Sequence, residues 1–107
     1  MYLYNTTFAV ESDLENEVVE WIKKDFIPSA TEDEYFLDNP GASPHILRVL
    51  GGEPGVTSLA VHLFTESIED IEKWYSDHGS RLFGSVIERW QSRVMFFSTT
   101  LEVLYAG

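Results

Sequence analysis

Residues 44–65, PHILRVLGGEPGVTSLAVHLFT, decide the fold. Two β-rich runs flank Gly51-Gly52-Glu53-Pro54-Gly55, and glycine and proline at that density suit a loop joining antiparallel strands. With Leu50 opposite Val56, every pair across the hairpin has matching parity. The odd positions then share one face: Leu47 and Val49 with Leu59, Val61 and Leu63. The even face carries Ile46, Arg48, Ser58, Ala60, His62 and Phe64, a mixture of apolar and polar groups. A slip of one residue would exchange faces, so the apolar pattern argues for this register, with the odd set buried against helices.

Upstream, residues 2–10 read as a strand rich in Tyr, Thr, Phe and Val, bulkier at the even positions. Ser12 and Glu15 fit a capping box, and Leu14, Val18, Trp21 or Ile22, and Phe26 recur at helical spacing. Pro28 is expected to end that helix, and residues 29–43 to form a long acidic, turn-rich connection. Downstream, Ser67 and Asp70 repeat the capping pattern. Ile68, Ile71, Trp74 or Tyr75, and His78 then share one helix face. A break is expected at His78-Gly79-Ser80, after which Leu82, Phe83, Val86, Ile87 and Trp90 continue the stripe. Residues 94–105 read as the last strand, with Met95, Phe97, Leu101 and Val103 opposite Phe96, Ser98, Thr100 and Glu102.

The order is βαββαβ in a single domain, residues 1–107. That order gives a ferredoxin-like α+β fold, four antiparallel strands with both helices on one face. The helix-facing set is expected to be the even positions of the first strand and the odd positions of the other three. The other face would carry Asn5, Thr7, Arg48, Ser58, His62, Ser98, Thr100 and Glu102 among Leu3, Ile46, Ala60 and Phe64. Its apolar part calls for a partner, and an identical face offers a two-fold solution, so a homodimer is expected.

Composition narrows the function classes. A net charge of −11 reverses the basic balance of nucleic-acid binders and disfavours an anionic membrane surface. Acidic residues cluster at 11–20, 32–38 and 66–72, as solvated faces or as a docking surface for a basic partner. No apolar run approaches the ~20 residues of a membrane span. MYLYNTTFAV lacks the basic region of a signal peptide and the chain has no cysteine, so a cytoplasmic location is the default expectation.

Residues also reject some families of this topology. The third strand has only Phe64 and no Arg or Lys, unlike an RNA-recognition motif. The first strand leads into Glu11-Ser12-Asp13, not into the arginine-bearing anion loop of an acylphosphatase, and heavy-metal-binding cysteines are absent. The chain resembles, nearly end to end, an uncharacterised Bacteroidetes-type family of short bacterial proteins, a domain of unknown function. The resemblance is carried by MYLYNTTF, WIKKDFIP, LRVL, LAVHLFTES, DHGSRL and TTLEVL in that order. Relatives often have histidine where this chain has Phe26, whereas His78 matches a helix-end position where relatives also carry histidine. The resemblance implies a dimeric α/β-barrel type of ferredoxin-like domain, with two sheets facing each other, and no established reaction.

The site expected from these faces is a polar cavity on the sheet. In it Arg48 would hold a carboxylate and His62 exchange protons, with Ser58, Ser98, Thr100 and Glu102 nearby, taking a small polar or anionic molecule. The bland alternative is an Arg48–Glu102 pair completing a dimer interface. His78 is either a pocket base or a group meeting the end of a helix, and His45 has no evident partner. Three dispersed histidines without HxH or HExxH spacing give no metal motif, and no phosphate loop, dinucleotide fingerprint or Ser-His-Asp set implies a cofactor or a hydrolase. The function readings are therefore a homodimeric small-molecule binder, a cofactor-independent monooxygenase- or isomerase-like enzyme using His62 or His78, or an acidic interaction module.

Overall fold

In the computed structural model, which describes residues 1–106, β1 (Tyr2–Glu11) lies between two antiparallel neighbours. Gly107, the last residue of the expected single domain, lies outside the described residues. The sheet order is β2-β3-β1-β4, with β2 at His45–Val49, β3 at Val56–Thr65 and β4 at Val94–Glu102. Helices α1 (residues 12–31) and α2 (residues 68–90) cross between β1 and β2 and between β3 and β4. This is the ferredoxin-like α+β arrangement. Among the described residues no helix is long and apolar enough to cross a membrane.

The core forms where both helices meet the even side of β1 and the odd side of β3. Tyr4, Phe8 and Val10 with Leu59, Val61 and Leu63 pack against Val18, Ile22, Phe26, Trp74, Phe83 and Val86. The two outer strands behave differently from expectation. β2 pairs Ile46 with Val61 and Arg48 with Leu59, one residue away from the register that sets Leu50 opposite Val56. Leu47 and Val49 consequently stand exposed on the open face, while Ile46 and Arg48 point towards the helices. On β4 the even positions take the helix side: Val94 is buried and Ser98 bonds to buried Thr6, whereas Met95, Phe97 and Leu101 are exposed.

Both helices contain a π turn. In α1 it spans Ile22–Phe26 and closes with the Ile27 N–H donating to the Ile22 carbonyl. Pro28 follows directly on this widened turn, inside the helical segment Ile27–Thr31, so the proline continues the helix instead of ending it. Neither expected capping box forms. Ser12 Oγ bonds to Thr57 Oγ1 at 3.2 Å, Glu15 turns to Arg48, and Ser67 begins α2 without a side-chain cap.

In α2 the π turn spans Tyr75–Gly79 and replaces the expected break, so the helix runs through. A Cβ on Gly79 would stand 2.8 Å from the Trp74 ring. That ring is fully buried among other aromatics and has no room to retreat. Gly79→Ala is expected to lower stability by about 1–3 kcal/mol through overpacking, read as a lower urea midpoint. An unchanged midpoint would mean that the indole can move.

Candidate functional site

The residues expected to line one cavity are divided by the sheet. Arg48 lies on the helix side of β2, where its Nε and Nη2 donate to Glu15 Oε1 and Oε2 at 3.1 and 2.8 Å. This bidentate pair holds the Glu15 carboxyl below the usual carboxylate range. Ser98, Thr100 and Glu102 follow the helix side of the opposite edge strand. His62 and Ser58 are on the open face, and His78 is on α2. His78 Nε2 stands 3.8 Å from Asp33 Oδ2, and its Nδ1 is 3.4 Å from Arg81 Nη2. Arg48 and Glu102 belong to opposite edges of the sheet, so neither the anion pocket nor the alternative ion pair between them is assembled.

Of the predicted set, Ser98 lines an open cleft. Between β4 and α2 lies a space of about 470 Å³ walled by Tyr75, Phe83, Ile87, Phe96 and Phe97. Phe83 and Phe96 stack with centroids 4.7 Å apart. Tyr4 and Ser98 also line it, and Ser98 Oγ lies 2.8 Å from the hydroxyl of fully buried Thr6. Burial raises the Tyr4 pKa, with the Ser98 and Thr6 hydroxyls pulling the other way, so the phenol stays protonated at neutral pH. The result is an apolar slot with a few convergent hydroxyls, the usual composition of a small-molecule site.

Gly84 lines the same cleft from the middle of α2, and a Cβ there would meet nothing within 4 Å. Glycine inside a helix costs about 1 kcal/mol relative to alanine, and packing does not require this one. Sequence reading missed Tyr4, Tyr75 and Gly84. The available signal was Gly84 itself, an unneeded glycine within a strong apolar stripe. A second cleft of about 520 Å³ runs along the outer surface between Asp25 and Arg89, with Arg81 and Ser85 at its side; its polar groups are exposed.

The open sheet face has its own order. Strand pairing sets Thr99, Asn5, His62 and His45 in one row across all four strands. The rows around it hold Leu3, Phe64 and Leu101 on one side, and Phe97, Thr7, Ala60 and Leu47 on the other. Apart from Glu11 and its partner Arg93 at the margin and the two histidines, the described residues of this face include no ionisable group, although the chain carries a net charge of −11. Burial, and then the neighbouring His45, lower the His62 pKa.

Fold and cleft together define a ferredoxin-like α+β domain with an aromatic-walled slot beside its edge strand. The chain belongs to the family described as a domain of unknown function, DUF4286, which it matches over residues 1–104. No curated protein matches it. Among solved structures it is similar to the de novo designed protein Foldit4, with 10% identity, TM-score 0.63, and coverage of 95% of this chain and 97% of that one. It is also similar to a dimeric ferredoxin-like protein from an uncultured marine organism, with 10% identity, TM-score 0.55, and coverage of 99% and 98% respectively. At such identity the likeness concerns the fold.

Proposed function

We propose that the protein is a homodimer joined through its open sheet faces, and that each protomer binds a small, mainly apolar molecule with one hydrogen-bonding group. The observation that carries the ligand reading is the slot between β4 and α2, where Tyr4 and Ser98 lie among aromatic side chains and Ser98 is held from behind by the Thr6 hydroxyl. Dimerisation is supported by the exposed Leu47, Val49, Met95, Phe97 and Leu101 on that face, and by the dimeric state given for the marine ferredoxin-like protein. A small polar or anionic ligand held by Arg48 is not part of this reading, because Glu15 already engages the guanidinium.

An enzyme of the dimeric-barrel kind is a weaker reading. Its acid–base group would have to reach the slot, yet His62 and His78 lie outside it and Tyr4 is a donor, not a base. Two variants test the binder. Gly84→Leu should fill the slot and abolish binding of small phenols and aromatic amides detected by ligand-observed NMR, without unfolding the helix. Ser98→Val should weaken the same fragments about tenfold, the equivalent of one hydrogen bond of ~1.4 kcal/mol. Fragments that bind both variants as well as the wild type would place the ligand elsewhere.

A further inference from the structure

Strand register brings together two residues that sequence spacing keeps far apart. His45 on β2 stands directly opposite His62 on β3, and both belong to the open face. In the register expected from the apolar pattern they would have pointed to opposite sides of the sheet. Directly opposed residues in an antiparallel pair hold their Cβ atoms about 4.5–5.5 Å apart, a separation from which two imidazoles can converge on one ion. We propose that His45 and His62 form a two-histidine site for a divalent transition metal of the Zn²⁺, Ni²⁺ or Cu²⁺ class.

Three features favour such an ion over other occupants. Imidazole nitrogen suits these metals, whereas Mg²⁺ and Ca²⁺ require oxygen ligands, and no carboxylate lies in this part of the face. The donors sit on hydrogen-bonded strands, so the backbone is already arranged before the ion arrives. In the isolated protomer His62 is half-buried and His45 exposed, which leaves an approach from the solvent side before two copies join. His45 packs edge-on against Phe64, with centroids 6.3 Å apart, and rotates out of that contact to share an ion with His62.

Asn5 follows His62 in the row, and its Nδ2 donates to Thr7 Oγ1 at 3.1 Å. The amide oxygen is thereby the free end of that side chain, the kind of neighbouring acceptor that orients a ligating histidine. Among the described residues no group of three or more His, Asp or Glu side chains could hold a metal. The remaining coordination positions belong to water or to the histidine pair of a second copy.

The test is calorimetric titration of the EDTA-stripped full chain with ZnCl₂ and NiCl₂. Wild type should take up metal saturably. His45→Gln and His62→Gln should each bind at least about tenfold more weakly, since even outer-shell partners of metal ligands are worth 10–100-fold. His78→Gln, which removes the remaining histidine, should match wild type. A ratio of one ion per chain supports a half-site completed by water; one per two chains supports a site shared between copies. No saturable uptake, uptake unchanged in the His45→Gln, His62→Gln double variant, or loss in His78→Gln alone would overturn the proposal. Circular dichroism of each variant separates loss of ligand from loss of fold.

Discussion

Replacing Trp74 with alanine is expected to lower the unfolding free energy by about 3–5 kcal/mol, the cost of truncating a large buried aromatic. The indole is fully buried at the junction of every layer. It meets Tyr4 of the sheet at 5.6 Å, Phe26 of α1 at 5.5 Å, Phe36 of the connecting loop at 5.6 Å and Phe83 of α2 at 6.2 Å, all edge-on. Edge-to-face pairs contribute about 0.5–1.5 kcal/mol beyond the area they bury, so several are lost together. The Trp74 Nε1–H also donates to Ser29 Oγ at 3.1 Å, and Ser29 Oγ donates to the Phe26 carbonyl at 2.6 Å, tying α2 to the π-turned part of α1.

Single domains have only about 5–15 kcal/mol of stability in total, so this variant should lie near its unfolding threshold at room temperature. Urea denaturation followed by far-UV circular dichroism reads the loss without relying on the removed fluorophore. A loss under about 1.5 kcal/mol would mean that the ring cluster closes over the cavity, at the low end of what collapse can recover. Tyr4 rests on this indole, so Trp74 also fixes the phenol that lines the cleft.

Element order and the faces of β1 and β3 were legible because their alternation is strong and their buried sides are continuous. The two outer strands were not, and the reason is the same for each. A period of two tells which residues share a face, but not which face the helices cover. β2 has only five residues, and both its sets are apolar enough to qualify: Ile46 on one side, Leu47 and Val49 on the other. Its facing is accompanied by the Arg48–Glu15 pair, a contact 33 residues apart that local pattern cannot reveal. In β4 the set Met95, Phe97 and Leu101 looks more core-like than Ser98, Thr100 and Glu102, yet it is the exposed one. Val94 and Phe96 supply the core there, and Ser98 is accepted on the helix side because Thr6 satisfies its hydroxyl. The cleft was illegible for a related reason. It draws on Tyr4, Ser98 and α2 residues separated by most of the chain, and only the register of β1 with β4 joins them.

Leu47→Asp and Phe97→Asp are each expected to convert a sheet-to-sheet dimer into monomers. In the isolated protomer these side chains are 42% and 61% exposed, so a carboxylate in either place remains hydrated. Surface changes of that kind usually alter stability within about ±0.5 kcal/mol. Between two facing sheets the same group would lose its water on a surface whose described residues offer no cation beyond Arg93 at the margin, already paired with Glu11 and Asp13. An unpaired buried carboxylate costs several kcal/mol, and two-fold symmetry imposes the penalty twice. At about 1.4 kcal/mol per tenfold, the dissociation constant should rise on the order of 1,000-fold or more. Sedimentation equilibrium at micromolar protein, with circular dichroism to verify the fold, reads the result. Arg81→Asp on the outer helix surface serves as a control that changes charge without touching the sheet and should leave the dimer intact. A wild type that sediments only as monomer would remove the dimer from the proposed function, while dimers persisting in both sheet variants would move the interface to another surface; neither result would alter the prediction for Gly84→Leu, because the slot is built within one chain.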